Sequence, residues 1–268
     1  MTWPYDLTAE FYDEDMGRNN DGRDVAWYVG QARNAPAGTI LELGCGTGRV
    51  TVPLAQAGFT VVAADCSVPM LRELAVKSAA AQLTQRIAPL AMDMGKWSLA
   101  TQFSARFAAI FCPFSAFTYL VDEDHRASML AGARACLAPG GVLALDTFVP
   151  DVRLDSLNDR DRIDDYRRAL PERWRPAVTL ARSKRLTRNV RPGVNLIERQ
   201  YRFLNDQGAV LRDVETESFQ RPYAPAELLA TLAAAGFTNV RACGDFDAAT
   251  PARAPARTIA VAAQQTHR

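Results

Sequence analysis

Seven consecutive residues, Glu42-Leu43-Gly44-Cys45-Gly46-Thr47-Gly48, combine a carboxylate with three glycines at alternate positions. Glycines let a backbone approach a ligand closely and take conformations that a Cβ forbids. Asp65 follows at about the 20-residue distance at which an acid ending a second strand accepts hydrogen bonds from a ribose diol. The chemistry open to this set is the holding of a nucleoside-type cofactor. Dinucleotide sites space their glycines G-x-G-x-x-G. Here they run G-x-G-x-G behind Glu42, which suits an adenosyl cofactor without pyrophosphate, an amino-acid tail replacing the phosphates. Cys45 and Cys66 read as small packing residues rather than nucleophiles. His125, in Asp122-Glu123-Asp124-His125, reads as a solvated first-turn residue, and Asp146 either reaches the pocket or serves the fold.

These residues need a scaffold, and the surrounding pattern supplies one. Thr39–Leu43 is a short apolar run ending in glycines, a buried strand. A helix follows from Gly48 to Ala57 and stops at Gly58. Thr60–Ala64 is a second strand. Ser67 to about Ala81 is a second helix, with Ser67 as N-cap and Pro69 in its first turn. Ile87–Met92, Phe107–Cys112 and Val142–Leu145 are further strands, the last preceded by a helix from Asp122 to Leu137 that Pro139-Gly140-Gly141 closes. Strands alternating with helices predict βαβ units and a parallel sheet. Residues 151–177 read as a charged loop with one helix. Period-two alternation from Val178 to Phe219, turning at Asn205–Gly208, predicts an antiparallel meander inserted into the domain. A helix over Pro225–Ala235 and strands at Thr238–Cys243 and Thr258–Ala263 complete the chain. Before all this, aromatic residues at helical spacing predict two short helices around a turn at Gly17–Gly22. The expected organisation is a helical lid (1–35), a cofactor-binding domain (36–150 and 223–268) and a substrate-side meander (151–222).

The 268 residues carry 31 basic and 30 acidic side chains. A nucleic-acid binder working through a global field would show a larger basic excess. The insert, 151–222, holds 16 basic and 12 acidic residues against 15 and 18 elsewhere, which suits a solvated sheet face. Its tyrosines and arginines hint at an aromatic or anionic small molecule. No 18-residue apolar run predicts a membrane span, and the N-terminus lacks the basic and apolar regions of a signal peptide. Five dispersed cysteines without a C-x-x-C pair argue for reduced thiols in a cytoplasm, and no metal site is expected.

With these motifs in place, the chain resembles the class I S-adenosylmethionine-dependent methyltransferases over most of its length. The resemblance implies an α/β, Rossmann-like seven-stranded, mostly parallel sheet with an antiparallel terminal hairpin. It also implies S-adenosylmethionine as cofactor. In that family the loop matching Glu42, Gly44, Cys45, Gly46 and Gly48 wraps the methionine part, and Asp65 holds the ribose. Cys66 and Met70 border the adenine. Asp93 meets the adenine amino group, with a backbone amide of Met92-Asp93-Met94 on the ring. Phe111-Cys112-Pro113-Phe114 faces the transferred methyl. Leu137–Gly141 resembles the usual lead into the fifth strand. The opening Tyr5-Asp6 … Phe11-Tyr12-Asp13 and the insert narrow the likeness to bacterial small-molecule N-methyltransferases acting on amino sugars and amino acids. In these, a tyrosine matching Tyr12 covers the methionine end. Where the amino-sugar enzymes often carry a histidine, this chain has Tyr119. Tyr12 and Tyr119 are therefore the candidate catalytic residues, and Tyr223 is a further pocket candidate.

The function expected is methyl transfer to a small-molecule acceptor, foremost an amine nitrogen, by in-line displacement. O- or C-methylation and a non-catalytic S-adenosylmethionine-binding protein are the alternatives. Near-neutral charge speaks against an RNA acceptor, and Cys-Pro-Phe lacks the Pro-Pro-Tyr signature of adenine and glutamine N-methyltransferases. Glycine spacing speaks against NAD-dependent oxidoreduction. Neither a membrane nor a nucleic-acid partner is expected, and a homodimer is left open.

Overall fold

Strands with continuous apolar runs are stable only where both faces are covered, and helices must cover them. That logic organises the protein, described here from a computed structural model over residues 3–16, 22–97, 106–148, 161–174, 178–253, 256 and 258–265. A 3-10 turn (Ala9–Phe11) leads into α1 (Tyr12–Met16) and α2 (Arg23–Asn34). The alternation then runs β1 (Thr39–Leu43), α3 (Thr51–Gln56), β2 (Val61–Asp65), α4 (Val68–Ala80), β3 (Ile87–Ala91) and β4 (Phe107–Cys112). A second 3-10 turn (Ala116–Tyr119) precedes α5 (Glu123–Cys136) and β5 (Leu137–Phe148). After β6 (Arg162–Ala169), β7 (Thr179–Arg191), β8 (Val194–Leu204) and β9 (Val210–Gln220) come α6 (Pro225–Ala234), β10 (Phe237–Gly244) and β11 (Thr258–Gln265).

The main sheet has seven strands in the order β10-β11-β5-β4-β1-β2-β3. Strands β1 to β5 pair in parallel, and β11 runs antiparallel to both β5 and β10. This is the class I methyltransferase fold. Chain order reverses between β1 and β4, the switch point where open α/β sheets receive ligands beyond the strands' carboxyl ends. Six consecutive buried residues make β4 the central strand. The second sheet, β6-β7-β8-β9, is wholly antiparallel. Its apolar face (Leu180, Tyr201, Phe203, Val214) closes over Phe11 of the N-terminal segment.

Several expected boundaries move. The first helical turn after the glycines is irregular, so α3 spans Thr51–Gln56 rather than 48–57. β3 ends at Ala91, one residue short. α5 ends at Cys136, and Pro139-Gly140-Gly141 does not close it. Strand β5 starts at once with Leu137 pairing Phe107, and the register shifts before Ala109 pairs Val142. The charged loop-plus-helix reading of 151–177 is corrected in part: a short 3-10 helix does occur at Glu172–Trp174, but Arg162–Ala169 forms strand β6. Its sequence is charged on both faces, and a shift between Asp164 and Tyr166 breaks the alternation. Residues 151–160 and 175–177, and 17–21 of the Gly17–Gly22 turn, lie outside the described residues. Among the described residues no helix is long and apolar enough to cross a membrane.

Candidate functional site

The glycine loop leaves β1 and turns back over its end. Gly44, Gly46 and Gly48 hold φ of +68°, +55° and +92°, a region that L side chains rarely adopt. At Gly48 a Cβ would stand 2.4 Å from Leu74 Cδ1 of α4, so this glycine also sets the helix-to-loop packing. Asp65 is the pin. Its Oδ2 accepts from the Gly46 N–H (2.8 Å) and its Oδ1 from the Ser67 N–H (2.8 Å). One carboxylate thus ties the loop after β1 to the start of α4, whose Ser67 side chain caps the Met70 N–H at 3.3 Å. Burial raises the Asp65 carboxyl above its ordinary value, and the two backbone bonds oppose that.

Glu42 lies behind the loop, 1% exposed, with its Oε2 accepting from Thr51 Oγ1 at 2.7 Å. Burial pushes its carboxyl up to about 8, against the Thr51 bond and Arg49. Folded protein therefore keeps the Glu42 proton at neutral pH, whereas the unfolded chain loses it near the ordinary value. Unfolding releases a proton in that window, so the stability contributed by Glu42 falls as pH rises toward about 8 and then levels. The slope is at most about 1.4 kcal/mol per pH unit. Thermal melts of wild type and Glu42→Gln between pH 6 and 9 should show the variant declining less steeply. Parallel curves would remove the neutral-acid assignment.

The N-terminal segment sits on this loop. Thr47 Oγ1 donates to Asp13 Oδ1 at 2.7 Å, and Asp13 is ion-paired with Lys77 of α4. Tyr12 Cε1 lies 3.9 Å from the place a Cβ on Gly46 would occupy. Tyr5 meets Tyr12 edge-on (centroids 5.7 Å, 83°) and Tyr119 likewise (5.7 Å, 72°). The Tyr5 and Tyr119 hydroxyls are hydrogen-bonded. Burial lifts the Tyr5 and Tyr12 phenols well above their ordinary range, and the neighbouring Tyr119 adds to it.

Tyr119 reaches this cluster on the 3-10 turn after β4, entered through two left-handed residues, Phe114 (φ +56°) and Ser115 (φ +59°). Asp146 holds that bend. It accepts from the Phe114 N–H (2.8 Å), the Ser115 N–H (3.1 Å) and Tyr28 Oη (2.7 Å), and burial pushes it up to about 6. Its place in the fold is that of a clamp, with both oxygens engaged by the bend and by Tyr28.

The remaining candidates divide. Asp93 is half-buried, takes the Gly95 N–H on Oδ1 at 2.9 Å and has Lys96 Nζ at 3.9 Å. Cys66 lies within the electrostatic reach of Asp65 and Asp93, and burial pushes its thiol up to about 12. Asp65, Cys66 and Asp93 therefore gather at one side of the loop. Met94 packs partly against the main core. Cys45 turns its side chain into the cluster of Ala55, Ala63, Leu71 and Leu74, Cys112 is fully buried in the main core, and Met70 is 2% exposed. Those three side chains serve packing. Tyr223 stacks on Phe117 (5.4 Å) under the Arg221 guanidinium (4.6 Å), also a packing position. His125 stands half-exposed beside Asp122, 3.8 Å away.

Residues without an assigned role in the sequence join the site. Tyr5 and Asp13 do so as above. Asp6 lies near Asp65 and Cys66, takes the Trp3 N–H on Oδ2 (2.8 Å) and keeps a buried Oδ1 with no hydrogen-bond partner among the described residues. Arg49 pairs with Asp24 at 2.5 Å and lies 4.6 Å over the Phe114 ring, with a buried Nη2 equally lacking a hydrogen bond. Arg199 of β8 lies within electrostatic reach of Tyr5 and Tyr119. Its signal was in the sequence: a cation two residues before Tyr201 and four before Phe203, in phase with the apolar face.

Residues 40–141 match the methyltransferase domain family. The cypemycin N-terminal methyltransferase of a Streptomyces species is 31% identical over 147 residues, 54% of this chain and 57% of that protein. The glycine/sarcosine N-methyltransferase of Halorhodospira halochloris is 33% identical over 129 residues, 48% of this chain and 47% of that protein. The chain thus spans about half the length of the curated relatives it matches. Among solved structures, the CcbJ methyltransferase of Streptomyces caelestis superposes with a TM-score of 0.78 at 24% identity, covering 99% of both chains. S-adenosylmethionine-bound CalS10, an amino pentose methyltransferase from Micromonospora echinaspora, gives 0.68 at 23% identity over 96% of each. At that identity the likeness is one of fold.

Proposed function

We propose that this chain, whose residues 40–141 match the methyltransferase domain family, transfers the methyl group of S-adenosylmethionine to an amine nitrogen of a small molecule. The residues fit that cofactor. Space above Gly46 is open to 3.9 Å, Asp65 stands at the loop's edge for a ribose diol, and the buried Asp6 Oδ1 and Arg49 Nη2 await partners of the kind an ammonium and a carboxylate provide. Asp93 and the Met94 backbone would meet the adenine, and Tyr12 the methionine end. When bound, the cofactor supplies an electrophilic methyl on a sulfonium. The chain's part is to place a nucleophile in line with it, and orientation of this kind is worth roughly 7 kcal/mol or more in favourable cases.

The observation that favours nitrogen is the state of the groups around the tyrosine cluster. Tyr5 and Tyr12 are held protonated by burial, Asp146 is spent on three donors, and His125 pairs with Asp122 on α5. A hydroxyl acceptor needs a base within reach. A neutral amine brings its own lone pair, forms the N–C bond as the C–S bond breaks toward sulfur, and afterwards releases a proton to solvent. The N-terminal segment (1–35) serves as lid, 36–150 and 223–268 as the cofactor domain, and 151–222 as the substrate-side cover. The names of the relatives, a cypemycin N-terminal methyltransferase and a glycine/sarcosine N-methyltransferase, point the same way.

Calorimetric titration with S-adenosylmethionine and separately with NAD, followed by labelled-methyl transfer to a panel of primary and secondary amines and matched alcohols, tests this. Micromolar binding of the first cofactor and methylation confined to amines is the expected result. Binding of NAD alone, or methylation of alcohols in preference, would overturn it.

A further inference from the structure

The inner face of the insert carries three cations on adjacent strands: Arg182 and Lys184 of β7 and Arg199 of β8. Register places Arg182 opposite Tyr201 and Lys184 opposite Arg199, and Tyr201 packs against Phe11 at 5.1 Å, so this face looks onto the N-terminal segment. Two of the cations are matched. Arg182 pairs with Asp15 (2.6 Å) and Asp165 (2.5 Å), and Lys184 reaches Asp165 at 3.5 Å. Arg199 is different. Among the described residues it forms no ion pair, and its Nη1 donates to the neutral Ser218 Oγ at 3.0 Å. Asp15, the acid nearest in charge to it, is already taken by Arg182, Tyr166 (2.6 Å) and Tyr201 (3.0 Å).

A half-buried guanidinium without a counter-ion is costly to keep in a fold that never supplies one. Within its electrostatic reach, on the N-terminal side that this face looks onto, is the hydrogen-bonded Tyr5–Tyr119 hydroxyl pair. In that pair one phenol donates to the other, which leaves the second phenolic hydrogen free. The site therefore offers unspent guanidinium N–H groups, one O–H and a single net positive charge, beside the tyrosines that lead to the glycine loop. Such a donor set matches a planar monoanion, which a guanidinium receives through two parallel hydrogen bonds.

We propose that Arg199, with Tyr5 and Tyr119, receives a carboxylate of the acceptor, so that the substrate is an amine bearing a carboxylate group. This rests on the amine-methylation reading for the acceptor's other half, but the anion site itself can be tested without it. Arg199→Met and Arg199→Lys are compared with wild type, each shown folded by its melting curve. Benzoate, benzamide and phenyl phosphate are titrated calorimetrically into the protein with and without S-adenosylhomocysteine. Benzoate should bind wild type at least tenfold more tightly than benzamide or phenyl phosphate, lose that preference in Arg199→Met, and keep part of it in Arg199→Lys. In turnover, amino acids should exceed their amides tenfold or more in kcat/KM, and Arg199→Met should erase the gap through KM with kcat held within a few-fold. Equal binding of benzoate and benzamide, a preference for phenyl phosphate, or a preference that survives in Arg199→Met would overturn the proposal. Benzoate selectivity without any methyl transfer would sink the amine-methylation reading and leave the anion site standing.

Discussion

Asp65→Ala should weaken S-adenosylmethionine binding by two orders of magnitude or more. The carboxylate has two tasks at once. Its Oδ2 and Oδ1 fix the Gly46 and Ser67 amides, both at 2.8 Å, and its remaining lone pairs are those that a ribose diol would meet. Hydrogen bonds to a charged group contribute about 1.5–3 kcal/mol each, and each 1.4 kcal/mol is tenfold in affinity. Two lost contacts to the ribose alone give roughly 10²- to 10⁴-fold. The freed Gly46 amide lets the loop relax from its left-handed path, which adds to the loss. Asp65→Asn keeps one acceptor oxygen but turns an amide toward the other backbone donor, and should fall between. Asp93→Ala is the useful contrast. Its internal bond to Gly95 closes only its own turn, so a reduction of about tenfold, one hydrogen bond's worth, is expected. Calorimetry with a melting curve for each variant decides it. An Asp65→Ala protein that binds the cofactor within threefold of wild type would remove Asp65 from the site.

Much of this site was legible because its signals are local. The glycine spacing, Glu42 and Asp65 lie within one βαβ unit, and the backbone bonds that join them span 19 residues or fewer. β4 was readable end to end because an unbroken apolar run meets Pro113, and α4 because Ser67 caps it and Pro69 stands in its first turn. What escaped depends on distant partners. β6 reads as a charged loop until β7 supplies Ser183, Arg182 and Leu180 opposite Asp164, Tyr166 and Arg168. Cys45, read from the sequence as a packing residue, does lie in the core, and the side chains of Cys112 and Met70 are buried too. Asp146 was ambiguous because only the fold brings Phe114, Ser115 and Tyr28 to it. Arg199 was available to a reading that asked why a cation keeps phase with Tyr201 and Phe203.

Arg182→Leu should be the most destabilising single change among the described polar residues of the N-terminal segment and the second sheet. Arg182 and Asp15 are 6% and 1% exposed. The guanidinium joins Asp15 of α1 (2.6 Å) to Asp165 of β6 (Nε at 2.8 Å) and lies 4.8 Å over the Tyr166 ring. Removing it leaves Asp15 as a buried carboxylate bonded to the Tyr166 and Tyr201 hydroxyls, with Arg199 within electrostatic reach but not ion-paired to it. Breaking a buried pair from one side costs about 3–5 kcal/mol, and for a chain of this size that lowers Tm by roughly 6–15 °C. Replacing both partners, Arg182→Leu with Asp15→Leu, should recover a large part of the loss, since the cost comes from the stranded charge rather than from the pair. The consequence reaches the pocket through α1. Asp15 and Glu14 face the insert, Glu14 taking Trp174 Nε1 at 3.2 Å and Arg173 Nε at 2.9 Å, while Asp13 holds Thr47 of the glycine loop and Tyr12 covers Gly46. A helix of five residues therefore joins the two sheets, and loosening its insert side should raise KM for both cofactor and acceptor. A double-mutant cycle on melting temperature measures the coupling. An Arg182→Leu protein melting within 2 °C of wild type, or a double variant no more stable than the single one, would show that the ionic knot does not tie the N-terminal segment to the second sheet.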